Sequence, residues 1–79
     1  MRALCLIAIK PGTIDNVTEL LLKKRKTAKE VLPVTGRAAI CVLMQGSINA
    51  INITIMDFKK IGNIVSTETL MEMEVDLGW

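Results

Sequence analysis

The sequence predicts a small α+β domain with the order strand, helix, strand, strand, helix, strand, in which two helices cover one face of a four-stranded antiparallel sheet. Three observations carry this expectation. Two apolar runs, Ala3 to Ile9 and Ala38 to Met44, have the length of strands rather than helices. Two other stretches, after Thr13 and after Ser47, repeat apolar residues at helical spacing, and the last segment alternates apolar with acidic residues. A chain of 79 residues has room for one domain. At that size only about 60 to 65% of the unfolded chain's surface is buried on folding.

Taken in order, Ala3 to Ile9 is a near-continuous apolar run closed by Lys10-Pro11-Gly12, which reads as a buried strand. Thr13 stands where it can cap a helix, and Ile14, Val17, Leu20 and Leu21 fall on one helical arc, predicting an amphipathic helix to about Lys26. The basic run Lys23-Lys24-Arg25-Lys26 then lies in its last turn, where the helix dipole favours cations. Lys29 to Thr35 is extended. It contains Pro33, which cannot donate to a strand ladder and so marks an edge strand. Thr35-Gly36-Arg37 turns the chain into a second apolar strand, Ala38 to Gln45, as a hairpin.

Ile51-Asn52-Ile53-Thr54-Ile55 alternates like a strand, yet Ile48, Ile51, Ile55 and Phe58 share a helical arc over three turns. The longer pattern decides for a helix over 48–61, capped by Ser47, with Ile53 toward solvent. Gly62-Asn63 ends it, with Asn63 suited to a left-handed conformation. Ile64 to Leu77 is the final strand, with Met71, Met73, Val75 and Leu77 on one face and Glu72, Glu74 and Asp76 on the other, and Gly78-Trp79 form a tail.

This order is the split βαβ arrangement of ferredoxin-like domains. The first strand and Ala38 to Met44 would be central and are apolar at odd and even positions alike. The helices cover one face, so the other stays apolar, and an open apolar face of that size marks an interface. The composition agrees, because 51% of residues are apolar in a chain too small to bury them alone. No apolar run approaches the roughly 18 to 20 residues that span a bilayer, and the N-terminal run lacks signal-peptide form, so the expected location is cytoplasmic.

Little in the sequence points to catalysis. There is no histidine, Cys5 and Cys41 lie in apolar runs as small buried hydrophobes, and the glycines form no phosphate-binding pattern. The carboxylates occupy charged strand and helix surfaces. We therefore expect no enzyme activity, no metal and no cofactor. A net charge of +2 does not by itself indicate nucleic acid.

Three stretches, Lys29-Glu30-Val31-Leu32-Pro33-Val34-Thr35-Gly36, Ile61-Gly62-Asn63-Ile64 and Ser66-Thr67-Glu68-Thr69-Leu70, resemble in order and spacing the effector-binding and assembly (RAM) domain of the Lrp/AsnC transcriptional regulators. The resemblance runs from Ala3 to about Met73. It implies one such domain over 1–79, standing alone without the family's helix-turn-helix. It also implies a dimer of the α+β barrel type made through the sheets, and assembly of dimers into larger rings such as octamers. It further implies a small effector, usually an amino acid, bound between subunits. By the same resemblance Thr35 and Gly36 would line the effector site, together with Thr67 and Thr69; Arg37 beside them reverses the local charge, which would favour an anionic ligand or simply face solvent. Where the family usually has Thr-Gly-x-x-Asp, this chain has Thr35-Gly36-Arg37-Ala38-Ala39. Ala39 removes a natural carboxylate partner for an ammonium, a charge-assisted bond worth roughly 1.5 to 3 kcal/mol.

Two other functions follow from the same residues. The domain would co-assemble with full-length Lrp/AsnC regulators without an effector, a reading that Ala39 favours, or contact nucleic acid through Lys23 to Lys26.

Overall fold

The computed structural model describes residues 1–23 and 27–73. It contains β1 (Arg2–Ile9), α1 (Ile14–Leu22), β2 (Ala28–Pro33), β3 (Ile40–Gln45), α2 (Ile48–Lys59) and β4 (Ile64–Met71). The strands form one sheet in the order β2-β3-β1-β4, with every neighbouring pair antiparallel. This is the expected ferredoxin-like topology. β1 and β3, apolar on both sides of the pleat, occupy the centre, and Pro33 sits on the edge strand β2, where its missing N–H costs no ladder bond.

Register decides which residues meet the helices. Cys5 pairs with Val42 and Ile7 with Ile40, and all four are fully buried beneath the helices. Val17 and Leu21 from α1, and Ile51 and Phe58 from α2, complete this core with Met44, each with no exposed surface. Burying a side chain of this kind contributes about 1.5 to 3 kcal/mol as an upper estimate.

The helix termini differ from expectation in instructive ways. Thr13 holds the N-cap position of α1, but its hydroxyl donates to the carbonyl of Lys10 at 2.7 Å and makes no cap bond. The turn before it, with Gly12 at φ +78°, carries the chain round so that this carbonyl lies within reach. α1 ends at Leu22, with Lys23 as its C-cap, so the basic run does not begin inside the last turn; Lys24, Arg25 and Lys26 lie outside the described residues. The chain leaves the helix early because Thr27 and Ala28 must be buried at the sheet, where the Thr27 carbonyl accepts from Gln45 N at 3.0 Å.

α2 is the helix that its longer periodicity predicts. Ser47 caps it by accepting from Ala50 N at 3.1 Å. Ile53 is 63% exposed, as expected, but Ile48 is 55% exposed and leaves the buried arc. Thr54 takes a place in that arc instead, made tolerable by its hydroxyl donating to the Ala50 carbonyl at 2.9 Å. Asn63 is not left-handed, since no described non-glycine residue has a positive φ. Its carbonyl accepts from Lys10 N at 2.9 Å and its side-chain amide donates to Asn16 at 3.2 Å, tying the two loops at this end of the sheet.

The hairpin turn is longer than the sequence suggests. β3 begins at Ile40 rather than Ala38, and Val34 N donates to the Ala39 carbonyl at 2.8 Å to close the connection. β4 ends at Met71, so Met73 falls beyond the strand, and Val75 and Leu77 lie outside the described residues.

Replacing Phe58 with alanine should lower the unfolding free energy by about 3 to 5 kcal/mol, because the site is filled from both helix and sheet. Ile53→Ala, on the outer side of the same helix, should change it by no more than about 0.5 kcal/mol. Urea denaturation followed by circular dichroism measures both.

Candidate functional site

The alternation that buries Cys5 and Ile7 turns Leu4, Leu6 and Ala8 to the other side of β1. In register with them, Leu43 stands opposite Leu4 and Cys41 opposite Leu6, while Leu32 of β2 stands opposite Cys41 and Leu70 of β4 opposite Leu4. Neither helix packs on this side, so one apolar field crosses all four strands. Leu32 and Leu70 at its two edges are 48% and 49% exposed, and Leu4 near its centre 39%. Between Leu4, Leu43 and Leu70 the surface sinks into an open cavity of about 320 Å³, with Arg2 and Glu72 at its lip. Cys41 is half-buried on this face, not part of the core as its apolar setting suggests. Cys5 is in the core, and burial pushes its thiol pKa up.

Charged groups surround the apolar field: Arg2 pairs with Glu72 and Arg37 with Glu68, while Glu30 on the edge strand β2 stands exposed opposite Leu43. The Glu72 carboxylate accepts from Arg2 three times, from the backbone N at 2.9 Å, from Nε at 3.3 Å and from Nη2 at 2.9 Å. These bonds, the side-chain ones foremost, hold its pKa below the ordinary glutamate value. Toward the other end, Arg37 Nη2 donates to Glu68 Oε2 at 2.8 Å. An apolar centre with a polar rim is the anatomy of a protein interface. The sequence offers no local sign of either pair, because the partners are 70 and 31 residues apart.

The residues singled out for a ligand divide into two groups. Thr35, Gly36 and Arg37 are exposed on the β2–β3 connection, where Gly36 adopts φ +114°. Thr67 and Thr69 stand opposite Ile7 and Cys5, hence on the helix side of β4, both half-buried. Thr69 Oγ1 lies 3.8 Å from Cys5 Sγ as its donor. Glu68, between the two threonines, points to the open face, so Arg37 reaches the side of the sheet that the threonines do not. A single copy therefore does not gather all five around one cavity. Ala39, half-buried and packed against the core, leaves no carboxylate at its position.

Among the described residues, no three His, Cys, Asp or Glu side chains are grouped to hold a metal ion, and no helix is long and apolar enough to cross a membrane.

No protein-family model and no curated protein matches the sequence. Solved structures do share its fold. The chain is similar to FFRP-DM1, with a TM-score of 0.83 and 23% identity, over 91% of this chain and 97% of that one. It is similar to E. coli AsnC, with a TM-score of 0.75 and 24% identity, over 94% of this chain but 51% of AsnC. An enzyme also has this fold: 5-chloro-2-hydroxyhydroquinone dehydrochlorinase (TftG) from Burkholderia phenoliruptrix AC1100, with a TM-score of 0.63 and 17% identity, over 95% of this chain and 96% of that one. At these identities the likeness establishes the fold, and function has to be argued from the surface.

Because Glu72 titrates below the ordinary glutamate range when folded, its pairing favours the native state at neutral pH and is lost as the pH falls through that depressed value. NMR titration of the side-chain carboxyls should place Glu72 below the ordinary glutamate value. Arg2→Gln should return it toward the ordinary value.

Proposed function

We propose that this chain is a regulatory domain of the Lrp/AsnC type that assembles with copies of itself through its open sheet face and binds a small metabolite between subunits. The observation that carries the reading is the uncovered apolar field of Leu4, Leu6, Leu32, Cys41, Leu43 and Leu70, with two ion pairs of the same chain on its rim. Leaving such a field in water is costly, and covering it with the same face of a second copy needs no unpaired charge to be buried at the two ion pairs. The fold shared with AsnC supports the reading, as does the sequence resemblance through Thr35-Gly36 and Thr67-Glu68-Thr69.

Thr35, Gly36, Arg37, Thr67 and Thr69 are the proposed ligand contacts, completed between copies, since one copy holds them on two sides of its sheet. They supply hydroxyls, backbone groups and one guanidinium, which suits a small polar metabolite and requires no catalytic step. Larger rings, such as an octamer of four dimers, belong to the same proposal. A second reading has a specific observation in its favour: Ala39 leaves the turn without a carboxylate for an amino-acid ammonium. On that reading the domain joins full-length Lrp/AsnC regulators and alters their assembly without an effector.

Sedimentation should give a dimer or a multiple of it. Leu43→Glu, which puts a charge at the centre of the field, should give a folded monomer by circular dichroism. A thermal-shift screen of the twenty amino acids and common organic acids should find a ligand that raises the melting temperature, reduced by Thr35→Ala. No shift at millimolar concentrations would remove the effector from the proposal. Native mass spectrometry of mixtures with a full-length regulator tests the second reading, which predicts hetero-oligomers.

A further inference from the structure

Two arginines among the described residues hold carboxylates, and they hold them differently. Arg2 gives Glu72 its backbone N, Nε and Nη2, at 2.9, 3.3 and 2.9 Å, so its guanidinium is committed. Arg37 gives Glu68 a single bond, from Nη2 at 2.8 Å. Its side chain is 78% exposed, so the rest of its donor fork faces water.

The reason lies in where the two partners are anchored. Glu68 is fixed in β4, on one edge of the sheet, opposite Leu6 of β1. Arg37 belongs to the β2–β3 connection, whose base is pinned by Val34 N on the Ala39 carbonyl at 2.8 Å and by Ala39 N on the Ile7 carbonyl at 2.9 Å. The pair has to span from that connection to the far edge strand, and the reach joins one carboxylate oxygen to one guanidinium nitrogen. A carboxylate not tied to β4 can meet the fork with both oxygens, the geometry that arginine uses for its strongest carboxylate pairs.

We propose that Arg37 is the carboxylate-binding group of the ligand site and that Glu68 stands in for the ligand within the chain. The inference rests on the metabolite-binding reading above and adds the class of the ligand: a small carboxylate that binds by displacing Glu68 from Arg37. The surroundings fit such an exchange. Thr35 and Gly36 are exposed on the same turn and offer a hydroxyl and a backbone N–H beside the guanidinium. A Cβ at Gly36 would meet nothing within 4 Å, so the turn is open to an approaching molecule. Ala38 and Ala39 follow Arg37, so the turn itself sets no acid against an incoming anion. Glu68 is given up at small cost, because an exposed ion pair is worth little against water, and its side chain is already 47% exposed. Arg37 trades one carboxylate for another, and no charge is left buried.

Amide NMR titration with propionate, which is the side chain of Glu68 as a free acid, tests the exchange, with propionamide as the uncharged control of the same shape. Propionate should shift the signals of Thr35, Gly36 and Arg37, and propionamide should not. Glu68→Gln, at an exposed position, removes the competitor and should bind propionate about two- to fivefold more tightly. Arg37→Gln should abolish the shifts. Equal affinity in Glu68→Gln and the unsubstituted chain, shifts that survive Arg37→Gln, or no shift of Glu68→Gln at high-millimolar propionate overturns the inference. A neutral or cationic metabolite that shifts these amides where propionate does not also overturns it, while the metabolite-binding reading stands. A thermal-shift screen in which nothing binds, together with a silent propionate titration, overturns both.

Discussion

β1 is hydrogen-bonded on both sides, to β3 and to β4, and apolar on both sides of its pleat. Everything else in the molecule answers to that double demand. The two helices, one packed near β2 and one near β4, close over the side that holds Cys5 and Ile7 and produce a core with no exposed surface on its main members. They cannot also close over Leu4 and Leu6. A two-layer domain of this size solves the burial problem for one side of its central strand only, and the other side stays uncovered.

The polar groups are arranged consistently with this division. Thr54 returns its hydroxyl to its own helix, and Thr69 directs its hydroxyl at a buried sulfur, so the helix side stays dry without stranding either group. On the open side Glu30 lies on the edge strand β2, and two further carboxylates are paired with arginines across the sheet. Arg2 and Glu72 join the beginning of β1 to the end of β4, while Arg37 leans from the hairpin connection to Glu68.

Much of this was legible in the sequence because it rests on periodicity, which one chain reveals by itself. The central places of β1 and β3 follow from their two-sided apolar character, the edge place of β2 from Pro33, and α2 from an arc that outlasts the competing alternation. What was not legible depends on where distant residues meet. Thr13 has the right chemistry for a cap, but the path of Lys10 to Gly12 gives its hydroxyl another acceptor. Ile48 and Thr54 exchange roles because the helix is rotated by packing against the sheet, which the arc alone does not fix. Cys41 and Cys5 look alike in sequence, and only register separates the exposed face from the core. The candidate ligand residues were named by resemblance, and their division between two sides of the sheet follows from the parity of β4, in which Glu68 must point away from Thr67 and Thr69.

The pairing of Ala3 with Met71 has a further consequence for how the chain comes into being. The strand made first is completed by the strand made nearly last, so most of the segment must be synthesised before β1 has both its neighbours. Contacts so distant along the chain form slowly relative to local ones. During that interval β1 and β3 present leucine and isoleucine on both sides, next to an open edge where β4 will later lie, a condition that favours unwanted association. The interval before β4 joins the sheet is thus the period of greatest apolar exposure for β1 and β3. The exposure ends when residues 64–71 close the sheet.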